Sequence, residues 1–360
     1  MQNSILRSKK CILHEEVTMT QNIGSSSLII MRRLINVYRL LFSLIYEYAK
    51  GLAISVTAIL LLTFCLHPGR FASHYEHIKA EEIVSELEKA YTPKGNACAV
   101  NISDRKFSQL LYPNENPTEE PAALARRLAV LPGGQWRPSN CQPVYNVAII
   151  LPYRNRQKQL HIFMDYIHPF LQSQNLDYRI FVIEQSETKE FNRAKLFNVG
   201  FVEATKVSDF HCFIFQDVDL IPQNPNNIYA CTKLPRHMSS SVNTFRYNLP
   251  YNGLFGGAVA LLRQQFEKVN GFSNVYFGWG GEDDDFYSRL QSRGFPVVRF
   301  GPGIAQYYML KHKKELPNSA RFKHLKNGAK RFDTDGISDL EYKVLNHQLR
   351  PLYSWILVDV

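Results

Sequence analysis

In the chain of 360 residues, positions 71–360 lack the runs of basic residues interleaved with aromatic residues that mark many nucleic-acid-binding proteins. Its formal net charge is +10, but residues 1–70 hold eight Lys/Arg against three acidic residues, which is half of that excess. The rest of the chain has only a modest positive surplus. The charge distribution therefore argues against a nucleic-acid partner. The length suits one large domain or two small ones, with appendages.

One stretch, Gly51 to Gly69, has no Lys, Arg, Asp or Glu, and its residues 52–66 are mostly apolar. A membrane helix needs about 20 such residues, so this stretch predicts a single membrane span. It lies too far from the N-terminus for an ordinary cleaved signal peptide. A buried core helix is the alternative. The positive-inside bias then places the N-terminus in the cytoplasm, because the span follows Arg32, Arg33, Arg39 and Lys50.

These features predict a type II membrane protein whose larger part is luminal. Residues 1–50 are expected to be a cytoplasmic tail with little fixed structure before an amphipathic stretch at 34–48, and 51–69 the signal anchor. Residues 70–97 are expected to form a stem, helical from His74 to Leu87, and residues 98–360 the luminal catalytic domain.

Cysteines are few, six in all, and a luminal setting permits disulfides. Four of them fall in the luminal part, and four cysteines allow three pairings. Asn101-Ile102-Ser103 is a glycosylation sequon, which agrees with the same topology. The four luminal cysteines are Cys98, Cys141, Cys212 and Cys231.

Arginines follow the first predicted strand of the folded domain. The apolar run at 147–151 ends at Pro152, as a buried strand does where it opens into a loop, and Arg154 and Arg156 come next. A helix at 157–171 and a second strand at 178–184 are expected to follow, and then Arg193 at the start of another helix. Guanidinium groups match phosphate oxygens, so these three arginines predict a nucleotide site at the carboxyl ends of the strands.

A third apolar run, 210–215, leads to Asp217-Val218-Asp219. In an extended backbone both carboxylates would lie on one side, where they could hold a divalent cation that bridges a diphosphate. A plain turn is the alternative, since Asp is common in turns. The preceding strand and the upstream arginines favour the cation site.

The most informative stretch is Gly278 to Asp285, which reads G-W-G-G-E-D-D-D. Glycines let the backbone approach a ligand closely, and Trp279 offers a flat apolar face. Adjacent carboxylates can divide into a hydrogen-bond acceptor and a general base. The alternative is an acidic helix N-terminus, because acids favour the positive end of the helix dipole.

Two other segments have weaker signals. Leu254-Phe255-Gly256-Gly257 places paired glycines before an apolar strand, which suggests backbone packed close to a ligand. Met309 and His312 are three residues apart, but a lone Met and His are more often packing and surface residues. Their spacing alone does not make them ligands.

Taken together and in this order, these motifs resemble the β-1,4-galactosyltransferase family, which are inverting type II Golgi enzymes with an α/β GT-A (Rossmann-like) fold around a central mixed sheet. The match extends from about Cys98 to the C-terminus. The motifs that carry it are P-Y-R-N-R at 152–156, F-N-R-A-K at 191–195, D-V-D at 217–219, F-G-G at 255–257 and the acidic octapeptide.

The resemblance implies roles for these residues. Asp283 would be the catalytic base, with Glu282 beside it, and Mn²⁺ would be held by Asp219, Met309 and His312. The cysteines would pair as Cys98 with Cys141 and Cys212 with Cys231. The UDP-sugar would be bound by Pro152, Arg154, Arg156, Phe191, Arg193, Asp217, Val218, Asp219, Leu254 and Trp279. The acceptor would be bound by Tyr251, Gly281, Asp283, Asp284, Arg321 and Phe322.

Two differences from the family's pattern bear on specificity. Trp279 would sit on a small closing loop and a longer lid would span about 310–325, but the stretch from His312 to Asn318 is shorter than in vertebrate members. Galactose-specific members have a Tyr where this chain has Leu254, whereas invertebrate N-acetylgalactosaminyl members have an aliphatic residue there. A neutral core substitution is the alternative explanation.

The sequence thus predicts a Golgi enzyme that transfers N-acetylgalactosamine from UDP-GalNAc in β1,4 linkage to a terminal N-acetylglucosamine of a glycoprotein or glycolipid. A galactosyltransferase that uses UDP-galactose is the first alternative. An inactive luminal sugar-binding protein and a metal-dependent hydrolase are more distant ones. The expected partners are the UDP-sugar, the glycan acceptor and the membrane, with no nucleic acid, and a homodimer is left open.

Overall fold

The computed structural model describes residues 25–66, 75–93, 95–100, 110–313 and 316–360. The chain divides into two compact units, residues 1–67 and residues 68–360. Asn101 of the predicted sequon lies outside the described residues.

The first unit contains one long helix, α1 (Ser25–Leu66). From Ile29 to Leu66 it is long and apolar enough to cross a membrane by length and composition, and its side chains are exposed. A helix that is apolar on all sides and is not buried in a protein core is typical of a membrane span. The helix begins well before the predicted span, because no proline interrupts the amphipathic stretch at 34–48 and the apolar stretch that follows it.

The second unit is built on a nine-stranded mixed sheet with the strand order β11-β12-β3-β2-β4-β8-β6-β9, in which β1 also pairs with β3. The four adjacent strands β12, β3, β2 and β4 are parallel to one another, whereas β8 runs antiparallel to β4. The strands are β1 (Gln135–Trp136), β2 (Asn146–Tyr153), β3 (Asp177–Gln185), β4 (Cys212–Gln216), β6 (Arg236–His237), β8 (Ala258–Leu262), β9 (Val298–Arg299), β11 (Lys343–Leu349) and β12 (Ser354–Asp359).

A smaller sheet of three strands places β10 (Gln306–Met309) between β5 (Leu220–Pro222) and β7 (Ser241–Val242). In this sheet Met309 pairs with Leu220. The short strand β5 directly follows the D-V-D segment, so the smaller sheet brings residues near 309 beside residues near 219.

Helices cover both faces of the large sheet. The helices of the second unit are α2 (Ile83–Glu86), α3 (Pro121–Arg127), α4 (Gln157–Gln172), α5 (Arg193–Val207), α6 (Arg263–Lys268), α7 (Glu282–Ser292) and α8 (Arg321–Lys326). Alternate residues of β2 enter two separate hydrophobic clusters: Val147 and Ile149 pack with α4, whereas Ala148 and Ile150 pack with α5. A Cβ on Gly200 of α5 would overlap with Ile150, so that glycine lets α5 lie directly on β2.

The expected stem differs from the structure in its local form. Only a 3₁₀ turn (Ala80–Glu82) and the four-residue α2 are helical between His77 and Leu87. Ile83 and Leu87 are buried in the same core cluster as Val147, and Leu87 bridges to Thr232. This segment is therefore packed against the domain through its few apolar residues, and does not form an independent helix.

The two disulfides have the expected pairing, Cys98 with Cys141 and Cys212 with Cys231. The second links the first residue of β4 to the loop before β6, so it fixes the strand that leads to the D-V-D segment.

Candidate active site

The parallel strands β2, β3 and β4 end at the same edge of the sheet, and the predicted site residues follow them there. Such an edge is where ligands bind in open α/β sheets. Phe191 and Arg193 follow β3, Arg154 and Arg156 follow β2, and Asp217 follows β4. The fold thus brings together three segments that are far apart in the sequence.

The acidic run forms the first turn of α7, whose N-cap is Gly281 with φ 97°. It is therefore both an acidic helix N-terminus and part of the site. Phe286 and Leu290 of the same helix are fully buried, and the ring centroid of Phe286 lies 3.8 Å from that of Phe272. This packing fixes the direction in which the carboxylates of the first turn point.

The four carboxylates separate into different environments. Glu282 and Asp283 face Arg193, while Asp284 accepts a hydrogen bond of 2.7 Å from the hydroxyl of Tyr251. Asp285 is buried on the other side of the helix, where Arg289 lies 2.7 Å away. Successive residues of a helix point in directions about 100° apart, so four adjacent acids cannot share one environment.

Arg193 lies at the centre of the site. Its Nε donates to Asp217 Oδ1 at 2.5 Å and its Nη1 donates to Asp283 Oδ1 at 2.7 Å. Glu282 Oε1 lies 3.6 Å from the same Nη1. The guanidinium of Arg193 thus orients carboxylates of the site, and its expected place in the UDP site stays a prediction. One cation therefore faces three carboxylates.

The excess of negative charge and the burial of the site change the acidities of two of these groups. Desolvation, followed by the charge of Asp283, raises the pKa of Glu282 to about 7. Desolvation raises the pKa of Asp217 to about 6 against the opposing effect of Arg193, and the charge of Asp219 adds to the rise. Glu282 Oε2 is buried and has no hydrogen-bond partner among the described residues. Protons at these positions would reduce the repulsion.

Asp283 keeps a quarter of its side chain exposed while its neighbour Glu282 is almost covered. One of its oxygens is held by Arg193, and the other lies against Gly256, where a Cβ would overlap with Oδ2. The first glycine of F-G-G thus makes room for a carboxylate of the chain itself. A positioned, partly accessible carboxylate is what a general base requires.

The D-V-D segment is a turn, so the expectation of an extended backbone with both carboxylates on one side was wrong. The Leu220 N–H donates to the Asp217 carbonyl at 3.2 Å, and the side chain of Val218 is buried. The turn directs Asp217 to Arg193 and Asp219 to His312. The two carboxylates therefore have different partners.

Asp219, Met309 and His312 are brought together by the smaller sheet. His312 Nδ1 lies 2.6 Å from Asp219 Oδ2, and this hydrogen bond raises the pKa of His312. The Leu310 N–H donates to the Asp219 carbonyl at 2.8 Å, directly beside Met309. The part of the chain that the structure describes has no cluster of three or more His, Cys, Asp or Glu side chains placed to hold a metal, and in this set the third donor is a methionine. A carboxylate, an imidazole and a thioether on adjoining backbone segments are three donor groups that could hold a divalent transition-metal ion.

The two other arginines are on the β2 side of this edge. Arg154 Nη1 donates to the Lys189 carbonyl at 2.7 Å, and its guanidinium lies 5.2 Å from the ring centroid of Phe191. Arg156 Nη2 donates to the Lys313 carbonyl at 2.7 Å, next to His312. Pro152 is buried within β2. Arg156 thus reaches the segment that contains the predicted metal ligands.

Trp279 and the predicted acceptor residues Arg321 and Phe322 form an exposed group. The indole is 57% exposed and Phe322 is 71% exposed, which is unusual for large apolar side chains. The Arg321 guanidinium lies 5.7 Å from the Trp279 ring centroid and 4.6 Å from that of Phe322. Trp279 also pairs through its backbone with Pro317, so the small loop and the middle of the expected lid are in contact.

Leu254 lies between the acceptor and base segments. Its N–H donates to the Tyr251 carbonyl at 3.1 Å, and its carbonyl accepts from Arg299. The residue is only partly buried and comes two residues before Gly256. It therefore lies two residues from the backbone that Asp283 contacts, and its predicted contact with the donor sugar stays a prediction.

Sequence reasoning missed Asn243 and Thr244. Asn243 Oδ1 accepts a hydrogen bond of 2.9 Å from the Met309 N–H, and Thr244 Oγ1 lies 3.7 Å from Met309 Sδ. Neither residue belongs to a recognisable motif. The parallel pairing of β7 with β10 brings them to the methionine, and no local pattern signals that pairing.

Comparison with known proteins identifies the class. Two family models match, the N-terminal region of glycosyl transferase group 7 over residues 108–232 and the N-terminal domain of galactosyltransferase over residues 236–313. The catalytic domain of Drosophila β1,4-galactosyltransferase 7 complexed with xylobiose superposes with a TM-score of 0.52 and 29% identity, over 60% of this chain and 93% of that one. A mutant of the same enzyme, complexed with manganese, UDP-Gal and xylobiose, superposes with a TM-score of 0.52 and 28% identity. The fold is a GT-A-like glycosyltransferase fold.

Curated relatives narrow the class to a family. The chain is 40% identical to β-1,4-galactosyltransferase 4 of Cricetulus griseus over 294 residues, which cover 80% of this chain and 85% of that enzyme. It is 48% identical to β-1,4-galactosyltransferase 1 of Bos taurus over 63% of this chain and 58% of that enzyme. The chain belongs to the β-1,4-galactosyltransferase family, and the resemblance inferred from its motifs is confirmed.

Proposed function

We propose that this protein transfers N-acetylgalactosamine from UDP-GalNAc, with inversion, to the 4-hydroxyl of a terminal N-acetylglucosamine on a glycoprotein or glycolipid. The main support is the placement of Asp283, a partly exposed carboxylate that Arg193 and Gly256 hold in place beside the D-V-D turn. We propose that the reaction occurs in the Golgi lumen, with α1 as the single-pass anchor.

In the proposed reaction Asp283 takes the proton of the acceptor hydroxyl as that oxygen forms a bond to the anomeric carbon. The bond from this carbon to the diphosphate oxygen breaks on the opposite face, and UDP leaves with the electron pair. One in-line displacement inverts the anomeric centre. Arg193 keeps Asp283 oriented, and Tyr251 orients Asp284 toward the acceptor side.

Asp219, Met309 and His312 would hold Mn²⁺, which stabilises the negative charge of the leaving diphosphate. Arg154 and Arg156 would add cationic charge from the β2 side. Arg321 and Phe322 would contact the acceptor sugar through their exposed faces, and Trp279 would close over the bound donor.

The choice of donor rests on Leu254. An N-acetyl group at C2 of the donor needs space and an apolar neighbour, which Leu provides, whereas a Tyr would occupy that space. Transfer of galactose from UDP-galactose is the second candidate, because the relatives are galactosyltransferases by name and one solved neighbour contains UDP-Gal. Membership of the family fits both donors.

A donor comparison tests the proposal. The full chain, solubilised in detergent with Mn²⁺ and N-acetylglucosamine, should use UDP-GalNAc at least as well as UDP-galactose and yield a disaccharide. Free sugar without a disaccharide would indicate a hydrolase, and no turnover of either donor a binding protein. Leu254→Tyr should shift the ratio of kcat/KM toward UDP-galactose by roughly 10-fold, the effect of one altered pocket contact.

Leu254→Met is the matched control, since it keeps an apolar side chain of similar volume and should leave the donor ratio unchanged. A strong preference of the unmodified enzyme for UDP-galactose would make it a galactosyltransferase. An unchanged donor ratio in Leu254→Tyr would remove Leu254 from the donor pocket.

A further inference from the structure

A chain of buried polar side chains lies beside the D-V-D turn, and the proposed reaction does not use it. Its members are Gln216, Tyr229 and Tyr307, none of which has measurable exposure. The Tyr229 hydroxyl donates to Gln216 Oε1 at 2.8 Å and lies 3.1 Å from the Tyr307 hydroxyl. Buried polar groups are costly unless they are hydrogen-bonded, so this chain constrains the segments that it joins.

At one end of the chain, Gln216 spans the turn. It is the last residue of β4, and its Nε2 donates to the Leu220 carbonyl at 2.7 Å. Leu220 is the first residue of β5, so this one side chain connects the residues on either side of Asp217, Val218 and Asp219. The two carboxylates of the turn repel each other, and the connection opposes a change in their separation.

At the other end, Tyr307 belongs to β10, two residues before Met309 and on the same face of the strand. Its hydroxyl joins Tyr229, and therefore Gln216. The chain of hydroxyls thus links the segment that contains Asp219 to the segment that contains Met309 and His312, in addition to the pairing of β5 with β10.

The middle of the chain is held by Arg236. This fully buried guanidinium donates to the carbonyls of Ile228 and Ala230, the residues on either side of Tyr229, at 2.5 and 3.0 Å. The Tyr229 N–H also donates to Gln174 Oε1 at 2.8 Å. The backbone of Tyr229 is thereby fixed, so its hydroxyl can act as a rigid bridge.

We propose that Gln216, Tyr229 and Tyr307 are positioning residues that set the distance of Asp219 from Met309 and His312. This inference rests on the metal site of the proposed function. Without the bridge, the D-V-D turn and β10 would remain connected by backbone pairing and by the contact of Asp219 with His312, and the ligand geometry would be less well defined. Loss of contacts that position metal ligands lowers metal affinity.

Binding of Mn²⁺ to the full chain in detergent, with UDP present, tests this directly and needs no turnover. Electron paramagnetic resonance of the free ion gives the dissociation constant. We expect Tyr229→Phe and Gln216→Met each to weaken Mn²⁺ binding by roughly 10-fold. Tyr307→Phe, which keeps the bond between Gln216 and Tyr229, should have a smaller effect in the same direction and serves if the other variants fold poorly.

Tyr178→Phe is the matched control. Tyr178 is equally buried and its hydroxyl bonds to His168, away from the site, so its loss should lower Tm by a similar amount without changing Mn²⁺ affinity. Equal effects on Mn²⁺ affinity in Tyr178→Phe and Tyr229→Phe, or none in Tyr229→Phe and Gln216→Met, would overturn the positioning role.

Asp219→Ala distinguishes an error in the proposed metal site from an error in the proposed positioning role. If it abolishes Mn²⁺ binding while the three bridge variants bind normally, the metal site is right and the positioning role is wrong. If Asp219→Ala binds Mn²⁺ as well as the unmodified enzyme does, the metal site itself is misassigned and the positioning role falls with it.

Discussion

Two arginines bind carboxylates of the same acidic run, and their surroundings differ sharply. Arg289 has no exposed side-chain area and contacts Asp285, 1% exposed, and Asp335, 6% exposed. Arg193 is 15% exposed, and its partners Asp217 and Asp283 are 29% and 25% exposed. We refer to the Arg289 group as the sealed cluster and to the Arg193 group as the open cluster.

The charge balance also differs. The sealed cluster includes Arg331, which lies 3.2 Å from Asp335 and 3.8 Å from Asp285, so two cations face two carboxylates. In the open cluster Arg193 alone faces three carboxylates, Asp217, Glu282 and Asp283. A buried cluster whose positive and negative charges are equal needs no additional proton or cation. A cluster with excess negative charge at a sheet edge can be neutralised by protons or by a bound cation. This imbalance of charge distinguishes the open cluster, which belongs to the candidate active site, from the sealed cluster, which has a structural role.

The largest effect should come from breaking the sealed cluster. Asp285→Ala leaves Arg289 buried without its nearest carboxylate, and we expect the free energy of unfolding to fall by about 3–5 kcal/mol. Urea denaturation followed by tryptophan fluorescence measures this. A loss below about 1 kcal/mol, the range of an exposed ion pair, would mean that the cluster is not sealed.

The next effect should come from the open cluster. Asp283→Asn keeps the shape of the side chain but cannot accept the proton, so kcat should fall by roughly 10²-fold or more. Stability and UDP binding should change little, in contrast to Asp285→Ala. Turnover close to that of the unmodified enzyme would show that Asp283 is not the base.

Much of the fold's order could be predicted from local patterns. The apolar runs before Pro152 and Asp217 are short and bounded, so they predicted strands β2 and β4 and placed polar residues at their ends. The helix expected at 157–171 is α4 (Gln157–Gln172). These signals lie within a few residues of the features that they predict.

The division of the acidic run could not be predicted in the same way. Which carboxylate faces Arg193 and which faces Arg289 depends on partners about 90 residues upstream and 50 residues downstream, such as Arg193 and Asp335. The D-V-D segment was expected to be extended, with a turn as the alternative, because an apolar strand precedes it and arginines lie upstream. The hydrogen bond between Leu220 and Asp217 that forms the turn has no sequence signature. The motif resemblance supplied Met309, which spacing alone could not assign.

A smaller effect should appear in the pH dependence of stability. Burial raises the pKa of Glu282 to about 7 in the folded state, so the native protein binds more protons than the unfolded chain between about pH 4.5 and pH 7. This group therefore stabilises the fold most fully at acid pH, and its contribution is lost as the pH rises through about 7. The loss should be at most about 2 kcal/mol between pH 5 and pH 7.

Glu282→Gln removes the titration, so the difference in stability between the variant and the unmodified enzyme should grow in the variant's favour as the pH rises. Thermal unfolding at several pH values with EDTA measures this without a bound cation. Asp285→Asn changes a carboxylate of the sealed cluster, and its pH profile of thermal unfolding is compared with that of Glu282→Gln. Parallel pH profiles for Glu282→Gln and the unmodified enzyme would place the titrating proton elsewhere.

The smallest effect concerns the preference of the proposed metal site for Mn²⁺ over Mg²⁺. A thioether is a soft ligand that is poorly matched to Mg²⁺, so Met309 should favour Mn²⁺ over Mg²⁺ in the proposed set with Asp219 and His312. Met309→His replaces the sulfur with a harder nitrogen, and we expect the ratio of Mn²⁺-supported to Mg²⁺-supported kcat/KM to change by roughly 10-fold. The KM for N-acetylglucosamine should stay nearly constant, because the acceptor residues are on a different segment.

His312→Ala should weaken activation by both ions. Metal dependence that is unchanged in Met309→Ala and His312→Ala would remove both residues from the metal site, and the charge of the open cluster would then have to be neutralised by protons on Glu282 and Asp217.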